Sequence, residues 1–159
     1  MDFPLISDDF DWLAFAADVL IADKVSNDFR RRLHLEWTVR GHRIRTAIAD
    51  DARLIDLLRA GLPPYSGGSQ KLFRGENIDR WKNGQLGLSW SPSKTTAVMF
   101  ARGLNAVSQG GILLQAEVSP SAIIAGPSDH SRYLNEIEFT VDPGKLDRIA
   151  VVQIFGSQK

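Results

Sequence analysis

The stretch GLPPYSGGS, residues 61–69, divides the 159-residue chain by character. A glycine, two prolines and a Ser-Gly-Gly-Ser run interrupt both helix and strand, so a turn-rich connection is expected there. Just before it, Leu54, Leu57 and Leu58 share one face of a helix that Gly61 closes and Pro63 and Pro64 stop. Further back, Leu13, Ala16, Ala17 and Leu20 predict another helix, with Asp9 or Asp11 as its N-cap. The stretch between these two is ambiguous. Leu33, Leu35, Trp37 and Val39 alternate as a strand does, whereas Trp37, Gly41, Ile44 and Ile48 keep a helical step. The helical pattern runs longer and favours helix from about Trp37.

Beyond the divide the chain reads mainly as strands, at residues 71–74, 87–90, 111–118, 122–125, 136–141 and 148–155. One helix interrupts them from about Lys94 to Arg102, with Ser93 as cap and Ala97, Phe100 and Ala101 along one side. Helices first and strands second imply an α+β fold. The expected organisation is one domain over residues 1–159, with a helical half at 1–62 and a strand-rich half at 70–155.

Composition narrows the chemistry. Nineteen basic residues against nineteen acidic ones give a formal net charge of +0, so no global attraction to nucleic acid or membrane is indicated. The absence of cysteine excludes disulfides, thiolate nucleophiles and cysteine-based zinc sites. His34, His42 and His130 show no i, i+4 pairing of the kind a helical metal site uses, and no metal is expected. The acidic start MDFPLISDDFDW lacks the pattern of a signal peptide. The apolar run at 13–21, broken by Asp18, is too short to span a bilayer. A soluble, cytoplasmic protein is the expectation, in the producing cell or in a target cell.

Three local features carry chemistry. The first is Leu72-Phe73-Arg74-Gly75: arginine presents a planar, permanently charged fork suited to phosphate oxygens, and the glycine lets another backbone or a ligand approach. A strand-end arginine also serves as a solvated charge or a structural ion pair. The second is Ser89-Trp90-Ser91-Pro92-Ser93, where alternation puts Ser89 and Ser91 on one face and Trp90 on the other. Two hydroxyls there suit a ribose or a carboxylate, and equally a polar strand edge. The third is Tyr133-Leu-Asn-Glu136-Ile-Glu138. In a strand both carboxylates project from one face, and like charges so placed raise at least one pKa. Glu-x-Glu pairs are also common on solvated strand faces.

Taken together, an arginine on one strand, a Ser-aromatic-Ser element after it and a later Tyr-x-x-Glu-x-Glu resemble the arginine–serine–glutamate class of ADP-ribosyltransferases. That class includes clostridial binary-toxin enzymes, vertebrate arginine-specific ecto-transferases and phage-encoded enzymes. The resemblance covers residues 72 to 143, about half the chain. It implies helices packed on a core of two antiparallel β-sheets, with NAD as co-substrate. Arg74 is then the contact to NAD phosphate and ribose, beside Gly75. Ser89 supports the ribose and the catalytic glutamate, Trp90 is a bulky middle residue, and Ser91 steadies strand or ligand. The resemblance implies that Glu138 is catalytic, that Glu136 activates or orients the acceptor, and that Tyr133 meets it. The pair being Glu-x-Glu favours protein arginine as acceptor, with nucleic acid also open. NAD hydrolysis at the same site and a non-catalytic binding module on the same fold are the alternatives.

Other features have plainer readings. The basic stretch 30–45, six arginines against Glu36, balances the acidic first helix, or faces nucleic acid or an acidic partner. Trp12, Phe15 and Trp37 are expected in the core. Trp81 is expected to be partly exposed, His130 lies in the loop before Tyr133, and Glu76 offers a local ion pair without an assigned role.

Overall fold

The computed structural model describes residues 1–103 and 105–156. The fold is α+β, with six helices and two three-stranded antiparallel sheets among these residues. The chain divides into two compact units, Met1–Pro64 with Ser128–His130, and Tyr65–Pro127 with Ser131–Lys159. The main division, between Pro64 and Tyr65, falls inside the turn-rich 61–69 stretch.

The first unit holds three helices: α1 (Trp12–Ile21), α2 (Asn27–Ile48) and α3 (Asp51–Gly61). Asp11 caps α1 by accepting from Ala14 N–H at 3.0 Å. The buried face of α1 is Trp12, Phe15, Ala16 and Val19, whereas Leu13 and Leu20 are exposed. This corrects the face expected from leucine spacing. The aromatic cluster of Phe3, Phe10, Trp12, Phe15 and Phe29, with centroids 4.8–6.0 Å apart, turns the helix toward its largest apolar side chains. Helix α2 begins at Asn27 rather than near Trp37, because Ser26 caps it by accepting from Phe29 N–H. Phe29, Leu33, Trp37, Ile44 and Ile48 are buried, while Leu35 and Val39 are exposed, so the strand-like alternation had no structural counterpart. Its arginines pair along α2 with Asp28 and Glu36 and outward with Asp51 of α3, and Arg43 reaches Asp8 at 4.0 Å. Arg30 donates to the carbonyls of Ala60 and Leu62 at the C-terminal end of α3, where a cation also suits the helix dipole. The basic stretch therefore balances mainly its own helix and α3. No helix among the described residues is long and apolar enough to cross a membrane.

The second unit contains β1 (Gln70–Asn77), α4 (Ile78–Lys82), β2 (Ser89–Trp90), α5 (Lys94–Arg102), β3 (Gly111–Val118), β4 (Ile123–Ala125), β5 (Phe139–Val141) and β6 (Ile149–Phe155). Helix α6 (Asp129–Tyr133) enters it from Ser131 onward. One sheet has the order β1-β3-β6, the other β2-β5-β4. Leu72, Trp90, Ile112, Leu114, Val118, Ile123, Phe139 and Val141 belong to one apolar core. Half-buried Trp81 packs against this core. Ser93 caps α5, accepting from Thr96 N–H at 3.2 Å, and Ala97 and Ala101 face inward. They can do so because β1 and β3 offer glycines beneath the helix. A Cβ on Gly75 would overlap the Ala97 carbonyl and Ala101 N–H, and one on Gly111 would overlap the Ala101 carbonyl.

Candidate active site

Alternation along β1 puts Leu72, Arg74 and Glu76 on one face and Phe73 and Gly75 on the other. Gly75 thus meets the backbone of α5. Phe73 and Ser91 bond backbone to backbone at 2.7 and 2.9 Å and join the two sheets. That bridge sets Arg74 beside Ser89, and the Arg74 Nη1 donates to the Ser89 carbonyl at 2.8 Å. Arg74 Nε donates to Glu76 Oε2, also at 2.8 Å. Glu76 is fully buried and accepts further from Gly87 N–H and Asn77 N–H. Burial alone would push its pKa up. The charge and hydrogen bond of Arg74, with the two backbone donors, outweigh burial and hold its carboxyl below the ordinary glutamate value.

The Ser-Trp-Ser element lies against the later glutamates through β5, in the register Ser89 to Thr140 and Trp90 to Phe139. Trp90 is 1% exposed, its indole part of the core and its Nε1 donating to the Gly87 carbonyl. Ser91 Oγ donates to the Glu136 carbonyl at 2.7 Å and also accepts from Ser93 N–H. Ser131 Oγ accepts from Glu138 N–H at 2.8 Å, while its carbonyl accepts from Glu136 N–H. Two serines therefore clamp the backbone around the glutamate pair.

A regular strand over 136–141 was expected, with both carboxylates on one face. The regular strand begins only at Phe139, and Ile137 lies in the left-handed region at φ 50°. For a β-branched residue this is a strained conformation. It breaks the alternation and sends the two carboxylates to different places. Glu138 lines a cavity of about 250 Å³ together with Arg74, Gly75, Ser89, Trp90, Ser91 and Asn105. Glu136 lines an open groove of about 1020 Å³ with Met99, Val107 and Leu134. Thr96 and Phe100 of α5 line both. Tyr133 stands 85% exposed at the end of α6.

Burial raises the Glu138 pKa to about 7, the nearby charge of Glu136 adds to the rise, and Arg74 offsets part of it. The repulsion expected between the two glutamates thus falls on Glu138. Six of the eight residues singled out in the sequence meet at one cavity. The sequence motifs do not include Gly87, Asn105 or Ser131 and give Glu76 no role. Asn105 donates to the Gly75 carbonyl at 2.8 Å and takes its place across a loop that sequence spacing does not reveal. For Glu76 a signal existed, since Arg-x-Glu on a strand places both side chains on one face.

Among the described residues no group of three or more histidine, cysteine or acidic side chains is arranged to hold a metal ion. Compared with family models, curated proteins and solved structures, the chain gives no match in any of the three.

Proposed function

We propose that this protein is a mono-ADP-ribosyltransferase that breaks the nicotinamide–ribose bond of NAD and transfers ADP-ribose to a protein, with arginine the favoured acceptor. The supporting observation is that one cavity gathers a cation, hydroxyls and a half-buried carboxylate: Arg74, Ser89, Ser91 and Glu138. Its volume is below the roughly 300–1,000 Å³ of whole-ligand sites and suits the ring-and-ribose end of the dinucleotide. In the reaction the C–N bond breaks, its electron pair leaves with nicotinamide, and positive charge develops on the ribose. Ionised Glu138 stabilises that charge more in the transition state than in the ground state. Arg74 meets phosphate or ribose oxygens, and Ser89 supports the ribose. Glu136, in the neighbouring groove, accepts the proton that the incoming nucleophile loses.

The groove supports a protein acceptor. None of the described residues lining it is basic, whereas a nucleic-acid acceptor would call for cations along its phosphates. Glu136 offers a single negative charge among apolar, hydroxyl and amide side chains, which suits a cationic side chain.

The test is incubation with adenylate-labelled NAD and cell lysate, followed by parallel protease and nuclease digestion. Label released by protease is the expected result. Release by nuclease would overturn the protein acceptor, and NAD consumption without labelled macromolecule would make water the acceptor. A wild-type protein that leaves NAD intact would overturn the reading.

A further inference from the structure

Glu76 has no place in the chemistry above, yet it is fully buried and accepts three hydrogen bonds beside the cavity. A buried ion pair is often no more stabilising than apolar residues of the same volume. Leu72, on the same face of β1 and fully buried, shows that this face accommodates an aliphatic side chain. The stability of the strand alone therefore does not call for a carboxylate at Glu76.

What the carboxylate does is geometric. Its Oε2 accepts from Arg74 Nε and from Gly87 N–H, both at 2.8 Å, tying β1 to the segment that leads into β2. Its Oε1 accepts from Asn77 N–H at 2.9 Å. The Arg74 guanidinium is thereby gripped on one side by Glu76 and on another by the Ser89 carbonyl. It also lies so close against Gly87 that a Cβ there would overlap its nitrogens. An arginine fixed in this way has already lost its rotamer freedom, and an anion that binds it does not bear that cost.

We infer that Glu76 is a positioning residue, which holds Arg74 pre-aligned at the cavity for an anionic group of the ligand. That this group is an NAD phosphate rests on the function proposed above; the alignment of Arg74 by Glu76 does not.

The experiment uses the full chain with Glu76→Gln, which keeps the volume but leaves one acceptor oxygen where three N–H donors converge. Gly87→Ala is the second variant, since it presses on the guanidinium without altering any charge. Two readouts are taken: the Arg74 Nε–H resonance in the protein alone, and KM and kcat for NAD cleavage. In wild type the Nε–H exchanges slowly with water; in both variants that protection is lost. KM for NAD rises about ten- to a hundredfold, as for a lost hydrogen bond to a charged group, with kcat changing much less. A folded Glu76→Gln protein with wild-type KM and an unchanged Arg74 resonance would overturn the inference. If that variant does not fold, Gly87→Ala decides by the same two readouts. If the wild type does not cleave NAD, the resonance alone decides: lost protection keeps the positioning role and discards NAD as the ligand.

Discussion

Residues 74–77 and 135–138 each bring a glutamate out of solvent beside the same cavity, and the chain treats the two in opposite ways. Glu76 is surrounded by donors: one guanidinium, two backbone N–H groups and, at 3.8 Å, Arg80. Its charge is matched and its pKa lies below the ordinary glutamate value. Glu138 follows the strained Ile137, is half-buried within reach of the Glu136 charge and feels Arg74 only at a distance, and its pKa is raised to about 7. A matched carboxylate fixes geometry. An under-compensated one is held ready for positive charge, which is the condition a developing oxocarbenium ion would meet.

Arg74 belongs to both regions, and its removal should have the largest effect on stability. Arg74→Ala leaves Glu76 buried without its main partner, a loss of about 3–5 kcal/mol. Chemical denaturation at pH 8 checks this. Arg80→Ala, by contrast, removes a half-exposed cation 3.8 Å from Glu76 and should cost under about 1 kcal/mol. If the two variants lose equal stability, the Glu76 region is not built around Arg74.

Glu138→Gln should act in the opposite direction. The folded protein keeps the Glu138 proton up to about pH 7, while the unfolded chain releases it near the ordinary glutamate value. Ionised Glu138 therefore destabilises wild type progressively as pH rises between these two points. The glutamine variant escapes this. It should be more stable than wild type at pH 8, by at most about 3 kcal/mol, with the gap closing below pH 4.5. Melting curves across that range provide the comparison, and an equal gap at both ends would contradict the raised pKa.

Glu136→Gln removes one of the two causes that raise Glu138. The acid limb of kcat/KM for NAD cleavage should move to lower pH. Transfer should be lost while slow NAD hydrolysis remains. Equal loss of both activities would remove the division of labour between the two carboxylates.

A small effect on stability is also expected at Ile137. Ile137→Gly relieves about 1–2 kcal/mol of left-handed strain but gives up half-buried packing against the core. Stability should stay within about 1 kcal/mol of wild type, whereas activity should fall because the two carboxylates lose their fixed separation. Unchanged activity would show that the strained turn has no part in the site.

This contrast also shows what the sequence makes visible. Strand β3 and helix α5 coincide with their expected ranges, 111–118 and Lys94–Arg102, because a strand-length, mainly apolar segment and the Ser93 cap are local signals. The start of α2 was obscured by a chance alternation at Leu33, Leu35, Trp37 and Val39, and the cap at Ser26 outweighed it. Arg74, Ser89 and Glu138 could be singled out by residue type and order. The left-handed Ile137 could not, since nothing in Glu-Ile-Glu announces it; it follows from Ser91 and Ser131 fastening the flanking backbone. Glu76 was visible as a charge beside Arg74, but its bond to Gly87 exists only once β1 and the segment before β2 are brought together.

The most direct test of the account is nicotinamide release from NAD by purified wild type and by Glu138→Gln, with folding of both verified by circular dichroism. Wild type should release nicotinamide, with kcat/KM rising as pH passes through about 7 as Glu138 ionises. The glutamine variant should be slower by at least about 10²–10³ while remaining folded. A folded Glu138→Gln protein that cleaves NAD at close to the wild-type rate would contradict it.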